Sequence, residues 1–440
     1  MSVSRNLVFG LRPVPPRLRV LVVSRCFPNR LEPLACAFAR QQVKSLARLA
    51  DVEVWSPLPY VPGAAWFGDR TRAGRLSRVP LRDRIDGIPV VYPRAPYVPG
   101  GGRVPGFAAL NLPLYMAALL PELSSLRGRF DVALGTFLYP DGVATAALAR
   151  LLGIPILLKA HGTDVNVVAR WPSVRPMIRA ALQRARFSLG VSRPMVEALV
   201  ELGSPCDRAV LLPNGVDRTI FHPRDRIAAR RALGLPDTGR TVLFVGGLER
   251  EKGLAELFDA WVCLRRTETA PVHLVLVGEG SLRARLDAAA RDLGNPERGR
   301  LILAGPHPLP GVADHLAACD IFTLPSWHEG TPNVVLEALA AGRPVVASRV
   351  GGIPDALPEG RAGLLVTPRD TRALTVALRE ALSRTWDEEA MVAAAPPSWD
   401  DSARRLHDLL ADAVSGESSR ALRHHLDPDI ETSGAFRAPN

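Results

Sequence analysis

Residues 326–337 read S-W-H-E-G-T-P-N-V-V-L-E. Before them, 320–324 is a short apolar run of strand character that stops at Pro325. After them, apolar residues recur at helical spacing through 334–341. The unit is therefore strand, loop and helix, with Gly330, Thr331 and Pro332 making a tight helix start. Backbone N–H groups at a helix start, reached through a glycine turn at a strand's carboxyl end, form a seat for an anion. Glu329 stands on the loop and Glu337 one to two turns into the helix, so a carboxylate flanks the seat on each side. That suits a polyhydroxyl ligand held beside an anion. It equally suits an ordinary βα turn in which an acid favours the helix start. The rest of the chain has to decide.

Around this unit the same grammar repeats. Residues 241–245 read as a buried strand, followed by the loop G-G-L-E-R-E-K-G at 246–253 and a helix over 254–264. Its glycines let backbone approach a phosphate, and Lys252 adds positive charge, although the Walker order G-x-x-x-x-G-K-[ST] is absent. A lysine on a loop can also be merely solvated. Strands are expected at 273–277, 301–304, 345–347 and 363–366, with the glycine turn R-V-G-G-I-P-D at 349–355. Helices are expected at 312–319, 371–383 and 399–414. Near-continuous apolar strands alternating with helices point to a parallel sheet covered on both faces.

The first half follows the same pattern. Strands are expected at 18–24, 51–55, 131–136, 154–159, 186–192 and 209–212, and helices at 35–49 and 143–152. The loop at 25–33 follows the first strand, where nucleotide-type folds place ligands, yet no G-x-G-x-x-G is present. H-G-T-D at 161–164 puts His161 and Asp164 at another strand end. His161 can donate to a sugar hydroxyl or serve as a structural histidine. The turn P-N-G-V-D at 213–217 reads as a hinge between domains. Residues 57–115 read as irregular, with Trp66, Phe67, Phe107 and Tyr115 among Arg70, Arg72, Arg75, Arg78, Arg82 and Arg84. Such a segment fits a lipid interface, a nucleic acid or a solvated loop.

Length and charge set outer limits. A chain of 440 residues with 47% hydrophobic content favours two domains. Residues 1–220 carry 29 Lys/Arg against 14 Asp/Glu, and 221–440 carry 26 against 30. Only the first half is therefore suited to an anionic surface or substrate. Almost all of the positive charge is arginine; the lysines are Lys44, Lys159 and Lys252. The five cysteines lack C-x-x-C spacing, which argues for a reducing compartment and against structural zinc. No run of about 18 charge-free apolar residues and no secretory leader is seen, so a cytoplasmic protein is expected. A flexible arm (1–17) and a flexible tail (416–440) are expected at the ends.

Taken in order, H-G-T-D, N-G-V-D with Phe221, G-L-x-x-x-K-G at 247–253, V-G-E-G at 277–280, L-P-S-x-x-E-G-x-P at 324–332, Glu337, G-G-I-P-D and G-L-L-V at 363–366 resemble the retaining glycosyltransferases of family 4. S-R-x-F-P near the start and F-A-R-Q at 38–41 are similar to cell-wall or exopolysaccharide members of the teichuronic acid type. The resemblance spans about 18–410. It implies the GT-B fold: two Rossmann-like α/β/α domains facing across a cleft. The acceptor domain would be 18–218 and the nucleotide-sugar domain 219–395, with a terminal helix at 396–415 packing back towards the first.

The resemblance also implies roles. Lys252 would meet the donor diphosphate, Glu337 the ribose and Glu329 the donor sugar. His161 would meet the sugar's 6-hydroxyl near the leaving oxygen. Backbone at Gly246, Gly247, Gly351, Gly352 and Ile353, together with Gly330, Asn333 and Val334, would complete the donor seat. One departure matters: the family has arginine where Gly247 stands, beside the lysine on the diphosphate. Losing one such donor weakens transition-state stabilisation by about 2–4 kcal/mol. Part of the leaving-group charge is then met by Arg250, by a helix start, or poorly.

The implied reaction is hexosyl transfer with retention from a nucleoside diphosphate sugar to a saccharide or lipid-linked acceptor. The donor is a substrate and no cofactor is expected. No D-x-D-type cluster fits a donor role, so metal independence is expected. Lipid-linked acceptors favour peripheral membrane contact through the basic domain over nucleic acid. A nucleotide-sugar epimerase, a catalytically weak or partner-dependent homologue, a non-catalytic scaffold and a basic nucleic-acid binder remain as alternatives.

Overall fold

The computed structural model describes residues 14–96, 105–293 and 295–416. Most of the expected arm, the expected tail from 417 onward and the side chain of Phe107 lie outside the described residues. The chain divides into two compact units. The first comprises 1–190, 196–212 and 400–440; the second comprises 191–195 and 213–399. The turn at 213–217, read as a hinge, thus groups wholly with the second unit.

The strands of the first unit are β1 (Arg19–Val23), β2 (Asp51–Trp55), β3 (Leu58–Tyr60), β4 (Arg82–Ile85), β5 (Ile88–Val91), β6 (Arg94–Pro96), β7 (Val132–Thr136), β8 (Ile156–Lys159), β9 (Phe187–Gly190) and β10 (Ala209–Leu211). Eight of them form one sheet in the order β10-β9-β8-β7-β1-β2-β5-β4. All its pairings are parallel except β4 with β5. The small pair β3-β6 stands apart. Every residue of β7, β8 and β9 is buried, as a strand covered on both faces requires. The helix Trp399–Ser415 lays Leu406, Leu409, Leu410, Ala413 and Val414 onto this unit's core, a stripe at helical spacing.

The second unit holds β11 (Arg240–Val245), β12 (Val272–Val277), β13 (Leu301–Gly305), β14 (Ile321–Leu324), β15 (Val345–Ser348) and β16 (Gly363–Val366). They form a six-stranded, all-parallel sheet in the order β13-β12-β11-β14-β15-β16. The helix Leu254–Thr267 buries Leu254, Leu257, Ala260, Trp261 and Leu264, and the Trp261 indole donates to Val272 O at 2.7 Å. Asp370 caps the helix Thr371–Ser383 by accepting from the Ala373 N–H at 2.8 Å.

Among the parallel strands of each sheet the order reverses direction at one place, between β1 and β7 in the first unit and between β11 and β14 in the second. Loops leaving the carboxyl ends of those two strands diverge to opposite faces and leave a crevice between them.

The expectation that 57–115 is irregular is not met. This region carries β3 to β6, the helix Arg72–Leu76 and the helix Pro105–Leu119. Asp86 and Gly87, both at positive φ, turn β4 into β5, and an Asp-Gly pair is a strong hairpin signal that the sequence does contain. Arg72, Arg78 and Arg82 pair with Glu32, Asp69 and Glu122. Tyr115, grouped above with interfacial aromatics, is buried. Trp66 is 92% exposed.

Candidate functional site

The second unit's crevice is built from four loops that touch one another through glycines. Loop 246–253 leaves β11 and loop 325–332 leaves β14. Gly253 has φ +71°, and a Cβ there would lie 2.0 Å from Pro325 O. Gly278, after β12, lies against Gly246 O, and Gly351, after β15, against Glu329 O. The Gly352 N–H donates to Gly330 O at 2.6 Å. Side chains at these glycines would push the loops apart, so the sequence's glycine turns are contact points as well as conformational joints.

Across this joint Lys252 Nζ meets Glu329 Oε1 at 2.7 Å. The two residues expected to hold the donor diphosphate and sugar, 77 positions apart, form an ion pair. An ammonium has three donors, so Lys252 keeps capacity for a further anion while Glu329 orients it. Arg250 lies over the Trp327 ring, 5.4 Å from its centroid, and has no carboxylate partner among the described residues. Arg369 covers the same ring at 4.2 Å. Trp327 is itself fixed by its N–H to Glu251 O at 2.8 Å and its indole to Glu256 Oε1 at 3.1 Å. Gly247 is exposed; a Cβ there would meet only Glu249 Cγ, at 3.7 Å. Arginine at 247 is therefore not excluded by its surroundings.

Glu337 lies on the helix Asn333–Ala340, whose opening Asn333 accepts from Asn214 Nδ2 at 2.9 Å. The Glu337 carboxyl makes no hydrogen bond or ion pair among the described residues. Burial pushes its carboxyl up to about 8. Near neutrality it is mostly protonated, ready both to donate to and to accept from hydroxyl groups. Val334 packs on the hydrophobic core and Ile353 is buried within it.

His161 belongs to the first unit. Its ring centroid lies 4.9 Å from that of Phe38 and 4.7 Å from that of Phe137. Burial, and then the charge of Lys159, push its pKa well below the usual histidine value, so the ring is neutral. Its Nε2 is buried without a hydrogen-bond partner. Asp164 ties the loop together, accepting from the N–H groups of Leu138 at 2.9 Å, Gly162 at 2.9 Å and His161 at 3.1 Å. Asp141 and Tyr115 share a buried hydrogen bond in the same unit. Asp141 and Arg369 are not marked by the motifs quoted above, and Tyr115 and Trp327 carry no site role there. Y-P-D-G at 139–142 and P-R-D at 368–370, each just past a strand end, were the available signals.

Among the described residues no cluster of three or more His, Cys, Asp or Glu could hold a metal ion. Nor is any described helix long and apolar enough to cross a membrane. All five cysteines are free.

Comparison with known proteins places this architecture. A family model for the glycosyl transferase 4-like domain matches residues 37–215, and one for glycosyl transferases group 1 matches 239–384. TuaC of Bacillus subtilis (strain 168), a glycosyltransferase provisionally assigned to teichuronic acid biosynthesis, is 30% identical over 94% of this chain and 100% of its own. A D-inositol 3-phosphate glycosyltransferase of Geodermatophilus obscurus is 33% identical over 84% of this chain and 86% of its own. Among solved structures, sucrose-phosphate synthase from Thermosynechococcus elongatus superposes with TM-score 0.66 at 20% identity, covering 93% of this chain and 99% of that one. Anabaena Alr3699/HepE in complex with UDP-glucose gives 0.61 at 19% identity, covering 93% and 100%. The chain belongs to the 4-like, group 1 glycosyl transferases, with the two Rossmann-like α/β domains of the GT-B fold. It is a glycosyltransferase, moving a sugar onto an acceptor.

Proposed function

We propose that this enzyme transfers a hexosyl unit, with retention and without a metal ion, from a nucleoside diphosphate sugar to a saccharide or lipid-linked acceptor of a cell-surface polysaccharide. The observation that carries this reading is the Lys252–Glu329 pair at the crevice between β11 and β14. Lys252, held by Glu329, presents its free N–H donors to the diphosphate, and Arg250 supplies the second positive charge in place of the family's arginine at 247. Both stabilise the leaving diphosphate as negative charge builds on it. Glu337 receives the ribose hydroxyls, and backbone at 246–247 and 351–353 lines the seat. Glu329 and Glu337 act as binding groups, and the departing phosphate oxygen takes the acceptor's proton on the same face.

The test is a panel of UDP-, GDP- and ADP-sugars incubated with saccharide acceptors, with product mass and anomeric configuration determined. Lys252→Ala is expected to lower kcat/KM by about 10²–10³-fold. Its folding stability should change by no more than about 1 kcal/mol, since the pair is partly solvated. Wild-type turnover in that variant would remove Lys252 from the mechanism. A product formed without acceptor and differing only in sugar configuration would make the protein an epimerase.

The name of one relative, a teichuronic acid biosynthesis glycosyltransferase, supports a cell-envelope acceptor. The basic first half and the exposed Trp66 support a cytoplasmic enzyme resting on an anionic membrane face. Sedimentation with anionic but not neutral vesicles, weakened by Trp66→Ala, is the expected result.

A further inference from the structure

The first unit has a crevice of its own, between β1 and β7, to which the functional reading has so far assigned nothing beyond His161. The loop after β1 brings Arg25, and the loop after β7 brings Asp141. Asp141 is fully buried, at 0% exposure. One of its oxygens takes the Tyr115 hydroxyl, and the Arg25 backbone N–H donates to the same carboxyl. The other oxygen, Oδ2, is buried without a partner. Buried acceptors of this kind cost stability and are rare in folded proteins, so an unmet one at a strand-end crevice points to an external donor. The Arg25 side chain is exposed, makes no hydrogen bond among the described residues, and lies near enough for its charge to act on the Asp141 carboxyl. His161 Nε2, on the neighbouring strand end, is a second buried and unmet polar atom. Burial pushes the Asp141 carboxyl up to about 7 against the opposing pull of the Arg25 charge.

An unmet carboxyl oxygen beside a guanidinium whose N–H groups make no hydrogen bond offers one acceptor and one set of donors close together. Adjacent hydroxyls on a pyranose or cyclitol ring match that pair, each hydroxyl being both donor and acceptor. We propose that Arg25 and Asp141, with Tyr115 orienting the carboxylate, form the subsite that recognises a vicinal diol of the sugar acceptor. This rests on the glycosyl-transfer reading above. Arg25 and Asp141 would make direct contacts; Tyr115 is a positioning residue.

The test uses the full chain and saturation-transfer NMR. The probes are methyl α-D-glucopyranoside, N-acetylglucosamine, glucuronate and myo-inositol, each with its deoxy or methylated analogue. At least one diol probe is expected to bind wild type more than fivefold better than its analogue. Arg25→Ala, an exposed substitution, and the near-isosteric Asp141→Asn should each weaken that binding at least fivefold. Nucleoside diphosphate affinity in Arg25→Ala should stay within twofold of wild type. Tyr115→Phe should raise the acceptor KM and leave the donor KM in place. Absence of diol binding to wild type, or binding indifferent to both Arg25 and Asp141, overturns the subsite; in the second case the unmet oxygen is served by a buried water only. If wild type fails to bind any nucleoside diphosphate, the functional reading fails instead, and the two outcomes are thereby separated.

Discussion

The two sheets place comparable crevices at comparable positions and fill them differently. Between β11 and β14, opposite charges are joined: Lys252 meets Glu329 at 2.7 Å, and glycines lock the surrounding loops into mutual contact. Between β1 and β7, buried polar atoms are left over: Asp141 Oδ2 and His161 Nε2 have no hydrogen-bond partner, and the Arg25 charge lies nearby. The first kind of crevice is organised before any ligand arrives and suits a ligand whose shape does not vary, such as a diphosphate. The second carries unmet hydrogen bonds that a ligand completes, which places selectivity in the ligand's own hydroxyl pattern.

The contrast can be broken at several points. Besides Lys252, the largest effect is expected from Arg250→Ala, about a hundredfold in kcat/KM, if Arg250 replaces the charge absent at 247. Gly247→Arg should restore most of that loss in the double variant, because space is open there; steady-state kinetics on the four proteins decides it. Next comes Gly253→Ala. With φ +71° and Pro325 O at 2.0 Å from the added carbon, it should destabilise the second unit by roughly 2–3 kcal/mol in denaturant titration. An unchanged midpoint would show that the loops are not locked.

The third point is pH. The Glu337 carboxyl, at about 8, stands above its ordinary value of about 4.3. Its contribution to stability is therefore fully present below the ordinary value and is lost as pH rises through the folded one. On the proposed reading, ribose hydroxyls donating to the carboxylate would favour its ionised form. Nucleotide affinity should accordingly rise about tenfold between pH 7 and pH 9, with proton release in calorimetry. Glu337→Gln should abolish both dependences. The smallest effect belongs to the first unit: Tyr115→Phe leaves Asp141 short of a donor and should cost about 1 kcal/mol in thermal or chemical unfolding.

Much of this was legible in the chain. Strands such as β12, with six buried apolar-rich residues in a row, can hardly be anything else, and G-L-L-V at 363–366 and V-A-T-A-A-L-A-R-L-L at 143–152 carry their own boundaries. The hairpin at Asp86-Gly87 is signalled by its turn, but three consecutive charges in β4 and a proline in β5 mask the strands. Lys252 and Glu329 could be named because they stand on glycine-bearing loops at strand ends, and Glu337 because it lies on the helix that follows one of them.

What the chain order alone determined is the set of strand-end loops, since local periodicity and turn chemistry act over a few residues. Which loops meet was decided by the strand order. Lys252 and Glu329 touch because β11 and β14 are neighbours, and Arg25 and Asp141 share a crevice because β1 and β7 are. No local rule reports that pairing. Nor does one report that the Glu337 carboxyl is pushed up to about 8, since desolvation belongs to the packed surroundings and not to the residue.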